Sequence, residues 1–364
     1  MRCPRPKALG GHHGCSAAVR GETHLGTHAQ PVGVRRVIHS GAPRRLAALG
    51  SRGNLVQMHL AETLAAQDGL ITRRQALDVG MTPEALRHAI RPDGPWQRLA
   101  PGLYAAFTGQ LSQGQRLRAA LLVAGPNAMI SGADSCRAHG LRYVPEQSSP
   151  LLLVPGGVKR RPPFAVVRRV VVVPQPRVLG GLPVAPIARA VVDAARRDPV
   201  LHPEGLSLQD VRALVCESVQ RQLTTPERLS EQLRQARRNG SGHLRTAVDD
   251  VTAGCWSAPE CELRDLIRTS HVLPEPNWNT PLPGLPQIIP DGWWREARLV
   301  AEVDSDEYHG YGVAPEQTQQ RHAEMIAAGW TVMGIGPRRI RRAPRNVLAQ
   351  LESAYRCGLG HGRI

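Results

Sequence analysis

The chain has 364 residues, 41% hydrophobic and only 4% aromatic, with 46 Lys and Arg against 30 Asp and Glu and a formal charge of +16. That length suits two or three domains with more than one core, and the charge points to a polyanionic partner, most simply DNA. No apolar run reaches the roughly 18 residues of a spanning helix and no lipidation motif is present, so no membrane partner is expected. The seven cysteines, at 3, 15, 136, 216, 255, 261 and 357, include no C-x-x-C pair. Neither a disulfide framework nor a structural zinc site is indicated, and reduced thiols in a cytoplasmic protein fit this usage best.

Residues 1–57 are rich in Gly, Arg, His, Ala and Pro without apolar periodicity and read as a disordered basic tail. They hold nine Lys or Arg against one acid, Glu22, and so half the net charge. His12, His13, His24, His28 and His39 are too irregularly spaced to favour a metal site over a solvated tail. Together with Arg20 and Glu22 they break any secretory-signal core. Met58, at the first periodic segment, is a candidate true start.

Residues 58–108 read as a winged helix. Leu60, Leu64 and Ala65 mark one helix, Thr72 opens a second that stops at Gly80, and Thr82-Pro83-Glu84 opens a third with Leu86 and Ile90 on one face. Two short strands around Pro101-Gly102 follow, within Trp96–Ala105. In such a module the third helix enters the major groove and the wing touches backbone. The candidate DNA-binding residues are Arg73, Arg74, Arg87, His88, Arg91 and Arg98; a small helical module with a solvated basic face, or a winged helix used for protein contacts, is the alternative. The run W-x-R-L-x-P-G-L-Y, from Trp96 to Tyr104, resembles the N-terminal winged-helix domain of antitoxins of type IV abortive-infection systems. That resemblance implies DNA binding at the protein's own operon and a cognate toxin, or another protein, as a partner.

Residues 109–250 read as a mixed αβ middle domain. Helices are expected over 116–123, from Asp134 to near Gly140, and over 186–197, 211–223 and 226–238, with strands over 151–154 and 165–173. Arg168 and Arg169 interrupt the last strand, either as guards of a solvent-facing edge or as phosphate contacts. Asn239-Gly240-Ser241-Gly242, after Arg234, Arg237 and Arg238, reads as a flexible joint.

Residues 251–364 carry the chemistry. Ser257-Ala258-Pro259-Glu260 has capping-box spacing, with Leu263, Leu266 and Ile267 on the following helix. Leu299–Asp304 reads as a strand whose period of two puts Glu302 and Asp304 on one face and Leu299, Ala301 and Val303 on the other. A hairpin through Trp293–Ala297 brings Asp291 beside Glu302. Three acids so gathered suit Mg2+, a hard cation that takes carboxylate and water oxygens. Glu260 as a helix cap only, and Glu302 and Asp304 as a solvated strand face, are the alternatives.

The order S-x-x-E, P-D, an apolar strand ending E-x-D, His309, then Arg321, Gly329, Trp330 and Val332 resembles the very-short-patch-repair (Vsr)-like branch of the PD-(D/E)XK nucleases. The resemblance spans about residues 255–350. It implies a restriction-endonuclease-like αβ domain in which Asp291 and Glu302 hold Mg2+ while Glu260 and His309 assist. Asp304 stands where the superfamily has lysine, and Ser305 where this branch usually has glycine. Arg338, Arg339, Arg341, Arg342 and Arg345 then follow, suited to phosphates or to a solvated helix start. No P-loop, Rossmann fingerprint or G-x-S-x-G elbow occurs, which sets nucleotide hydrolysis and acyl transfer aside. The expected whole is an α+β protein that binds DNA and carries a Mg2+-dependent endonuclease domain, or else a non-catalytic regulator or antitoxin on the same folds.

Overall fold

The computed structural model describes residues 52–236, 238–304 and 314–361. His309 and Ser305 lie outside these residues, as does the basic tail up to residue 51. The chain is α+β, with three sheets among the described residues.

The first helix starts earlier than the apolar pattern suggests. Helix α1 runs Arg52–Ala66, so the last residues assigned to the tail are helical. Leu55 and Met58 are half-exposed, which weakens the amphipathic signal, and Val56 packs on Gly80. Strand β1 (Leu70–Thr72), α2 (Arg73–Asp78), α3 (Pro83–Ala89), β2 (Gln97–Ala100) and β3 (Leu103–Ala105) follow. Thr72 closes a capping box with Gln75, and Thr82 caps α3 ahead of Pro83. The antiparallel sheet has the order β1-β3-β2, and Gly102 takes φ 76° at the β2–β3 turn, a conformation glycine adopts without strain. Ile71, Ala76, Leu86 and Tyr104 form the core of this module.

The middle region comprises α4 (Gln113–Ala124), β4 (Met129–Ser131), α5 (Gly132–Ala138), β5 (Leu151–Pro155), β6 (Val166–Val170), β7 (Arg177–Leu179), β8 (Leu182–Val184), α6 (Ile187–Ala195), α7 (Leu208–Gln220), α8 (Pro226–Gln235) and α9 (Gly242–Thr252). Its sheet has the order β6-β5-β4-β8-β7. Alternation along the strands divides its faces: Ile130, Leu152 and Val154 meet Leu117 and Ala120 of α4, while Met129 and Leu153 join the helical core of α6, α7 and α9.

Three expectations here need correction. β6 is an edge strand, and Arg169 is exposed on it, but Arg168 turns inward to Asp193 at 2.5 Å and Asp198 at 3.3 Å. It is an internal ion-pair residue and neither guards the edge nor meets phosphate. The segment read as a joint is a closed turn: Arg197 N–H donates to Gly240 O at 2.9 Å, and Ser241 is buried. Nor is residue 250 a clean boundary, because Cys255 and Cys261 pack into the core of the middle region.

The C-terminal region comprises α10 (Ala258–Arg268), β9 (Asn277–Trp278), β10 (Gly292–Trp294), β11 (Leu299–Val303), α11 (Ala314–Ala327), β12 (Thr331–Ile335), α12 (Pro337–Arg342) and α13 (Pro344–His361). Its sheet order is β12-β11-β10-β9; β10 pairs antiparallel with both β9 and β11, and β12 lies parallel to β11. Trp294, Leu299 and Ala301 face α10 and α13, while Trp293 and Val300 face Met325 of α11. Glu302 therefore falls on the α11 face.

Candidate functional site

The site forms where β10 and β11 run past their last paired residues. Gly292 pairs with Ala301, so Asp291 comes opposite Glu302, as the hairpin reading requires. Asp291 Oδ2 accepts the Val303 N–H at 2.7 Å, which ties its carboxylate to the end of β11.

Glu260 arrives from α10. Ser257 takes extended backbone angles and accepts the Glu260 N–H at 3.3 Å, and Pro259 sits in the first turn. The capping box is only half formed, because the Glu260 carboxylate does not return to Ser257. Its Oε2 accepts from Trp256 N–H at 3.0 Å and from Asn279 Nδ2 at 3.1 Å. Asn279 holds φ 49°, which an Asn tolerates better than most residues. It also donates Nδ2 to Gly254 O at 2.7 Å and its N–H to Asp291 O at 3.1 Å. Asn279, through its side chain and its backbone N–H, thereby joins the start of α10 to the residue that leads into β10.

Helix α11 supplies Arg321 and His322. Arg321 donates from one nitrogen to Glu302 Oε1 and to Ile289 O, each at 2.7 Å. His322 Nε2 is buried without a hydrogen-bond partner among the described residues and lies 4.0 Å from Asp304 Oδ1. Asp304 leaves the strand with its N–H on Ile335 O at 3.1 Å, and its carboxylate lies over Gly334, where any side chain would overlap it. Glu302 is opposite that same glycine on β12.

The electrostatics follow from burying several acids together. Asp291 is raised well above the usual carboxylate range, first by burial and then by Glu260 and Glu302, against the Val303 N–H and Arg321. Glu302 is raised by burial, which outweighs Arg321 and His322. Each of the three buried-cluster acids keeps one oxygen free of the contacts named above: Asp291 Oδ1, Glu302 Oε2 and Glu260 Oε1. Among the described residues no three of the four acids bring oxygens within 4.8 Å of one another. The donor set is hard and open, which fits a Mg2+ ion that keeps several waters and takes one or two carboxylates.

Of the candidate residues, the structure gathers Asp291, Glu302, Glu260 and Asp304 at one end of the sheet; His309 lies outside the described residues. His322, Asn279 and Gly334 were not picked out by sequence, and Arg321 only as part of a spacing. The DNA-binding candidates Arg73, Arg74, Arg87, His88, Arg91 and Arg98 are all exposed. Arg87 meets Glu84 at 2.8 Å, an exposed pair of little energetic weight. In the C-terminal arginine run, Arg341 pairs with Glu262 at 2.9 Å, while Arg342 and Arg345 are exposed. No helix among the described residues is long and apolar enough to cross a membrane.

No protein-family profile matches the chain. Two curated relatives, the uncharacterized proteins MT2308 and Rv2248 of two Mycobacterium tuberculosis strains, are each 27% identical over 264 residues, 71% of this chain and 92% of theirs. Among solved structures, the RV2827C protein from Mycobacterium tuberculosis aligns with 61% of this chain and 83% of its own at 16% identity and a TM-score of 0.38.

Proposed function

We propose that the chain is a cytoplasmic DNA-binding protein with a Mg2+-dependent endonuclease site at Asp291 and Glu302. The observation that carries this reading is the opposition of those two carboxylates across β10 and β11, both raised in pKa, with Glu260 behind them and Asp304 at the strand end. The order of acids along helix, strand and strand agrees with the Vsr-like resemblance. Similarly, α2 and α3 followed by the β2–β3 hairpin agree with a winged helix, its exposed basic residues on α2, α3 and β2 available to phosphates and base edges.

In this mechanism Asp291 and Glu302 would hold the ion. A bound Mg2+ supplies an electrophile that offsets phosphate charge and acidifies a water. Glu260, fixed by Trp256 and Asn279, adds negative charge that keeps a cation in place. His322 accepts or returns a proton at Nε2, with Asp304 turned toward it, and the exposed arginines after β12 neutralise neighbouring phosphates.

A second reading, the non-catalytic regulator or antitoxin, is favoured by one observation. Arg321 already gives Glu302 a fixed positive partner, and Asp304 replaces the lysine of the nuclease pattern. Supercoiled plasmid separates the two. The nuclease reading expects nicking with Mg2+ or Mn2+ that EDTA and Asp291→Asn both abolish; binding to duplex without nicking under either ion favours the regulator.

A further inference from the structure

Outside the acid cluster, the described residues bring scattered thiols together at one place. Cys216 comes from α7, Asp250 from α9, Cys255 from the turn after α9, and Cys261 from the first turn of α10. One ligand atom from each of Asp250, Cys255 and Cys261 lies within 4.8 Å of the other two. Cys216 adjoins the Cys261 thiol, and none of the four residues is more than 6% exposed. From this geometry we infer a closed site for a thiophilic divalent cation, zinc above all, bound by Asp250, Cys255 and Cys261 and completed by Cys216.

The donor set is that of a structural zinc site: four protein ligands, mainly sulfur, with no position open to solvent. Zn–S bonds of about 2.3 Å require sulfurs roughly 3.8 Å apart, so Asp250, Cys255 and Cys261 have only to close by about 1 Å, while the Cys216 side chain must turn further in to complete the set. The spacing also holds the ligands locally. Cys255 N–H donates to Asp250 O at 3.0 Å around Gly254, which takes φ 89°, and Cys261 N–H donates to Ser257 O at 3.1 Å.

Three thiolates and a carboxylate around Zn2+ leave a double negative charge, and two guanidiniums already face those ligands. Arg212 Nε donates to Asp250 Oδ2 at 2.7 Å, and an Arg264 nitrogen donates to Cys255 Sγ at 3.4 Å. The guanidiniums beside the ligands are shared with other carboxylates, Arg212 with Asp265 at 2.7 Å and Arg264 with Glu275 at 3.3 Å, and so offset only part of the site's charge. Such outer hydrogen bonds orient metal ligands. Cysteine ligates zinc as the thiolate. Each thiol that ligates therefore releases its proton to the buffer. The ion would staple α7, α9 and α10, and Cys261 directly follows Glu260, so it would also anchor the helix turn that carries that acid.

Elemental analysis of the full chain, freed of any affinity tag and dialysed against metal-free buffer, tests this. About one zinc per chain is expected, and it should fall several-fold in the Cys255→Ser, Cys261→Ser double variant while staying unchanged in Cys357→Ser. Because the double variant could unfold, the parent reconstituted with Co2+ provides a second readout: intense tetrahedral bands with thiolate-to-cobalt charge transfer are expected. A metal-free parent that yields no such bands overturns the inference. So does zinc retained in full by a folded double variant, or a Cys255–Cys261 disulfide found in the parent prepared under reducing conditions.

Discussion

Arg321 holds Glu302 Oε1 at 2.7 Å while donating to Ile289 O from the same nitrogen, so α11 brings a fixed positive charge to an acid cluster that is otherwise short of one. The guanidinium is 40% exposed and its partner 10%, which moderates the energy of the pair. Arg321→Met is expected to lower stability by about 1–2 kcal/mol, between the values for exposed and buried pairs. Millimolar Mg2+ should recover part of the loss, because a bound cation restores the missing charge. Chemical denaturation with and without Mg2+ measures both; a loss that Mg2+ leaves untouched would separate Arg321 from the cation site.

The pH dependence of stability has a definite sign. Asp291 and Glu302 both titrate above their unfolded values, so between about pH 4 and their raised values the folded chain holds more protons than the unfolded chain. Their joint contribution to stability therefore falls as pH rises through that window, by at most about 1.4 kcal/mol per group per pH unit. Asp291→Asn removes one of the titrations. Urea midpoints from pH 5 to 8 should decline less steeply in the variant than in the parent, and parallel slopes would contradict the burial account.

Gly334 is opposite Glu302 and under the Asp304 carboxylate, with no room for a Cβ. Gly334 is itself exposed, so Gly334→Ala is expected to cost only about 0.5–1 kcal/mol, by displacing the Asp304 carboxylate from over the strand. Asp304→Ala should relieve most of that cost, giving a coupling energy of about 0.5 kcal/mol in a double-mutant cycle. Additive losses would show that the two residues do not share the space.

For the N-terminal module, Arg87→Ala with Arg91→Ala should weaken duplex binding in a gel-shift titration. Each lost phosphate contact lowers the salt slope by about 0.9. An unchanged affinity and slope would move the DNA contact elsewhere. At the candidate site, His322→Gln should slow any cleavage by roughly 10²- to 10⁴-fold, the worth of a general acid or base, with metal affinity retained.

Much of the C-terminal site was legible because its signals are local. A period of two put Glu302 and Asp304 on one face, a hairpin placed Asp291 beside them, and S-x-x-E put Glu260 at a helix start. What was missed depends on packing between distant segments. His322 reaches Asp304 only because α11 lies on the Val300 face, and Asn279 matters only because it bridges Gly254, Glu260 and Asp291. Likewise Arg168 was read from its strand alone, whereas its partners Asp193 and Asp198 lie 25 and 30 residues on. Composition misread the turn at Gly240, since nothing local announces the Arg197 N–H that closes it. β1 is three residues long, too short for any period to appear.

The claim at the centre is that Asp291 and Glu302 bind a hard divalent cation together. Calorimetric titration of Mn2+ or Mg2+ into the full chain, repeated in buffers of different ionisation enthalpy, tests it most directly. The account predicts saturable binding with release of whatever proton the raised pair holds at the working pH, and loss of that event in Glu302→Gln. Absence of saturable binding in the parent, or binding and proton release that persist unchanged in Glu302→Gln, would contradict it.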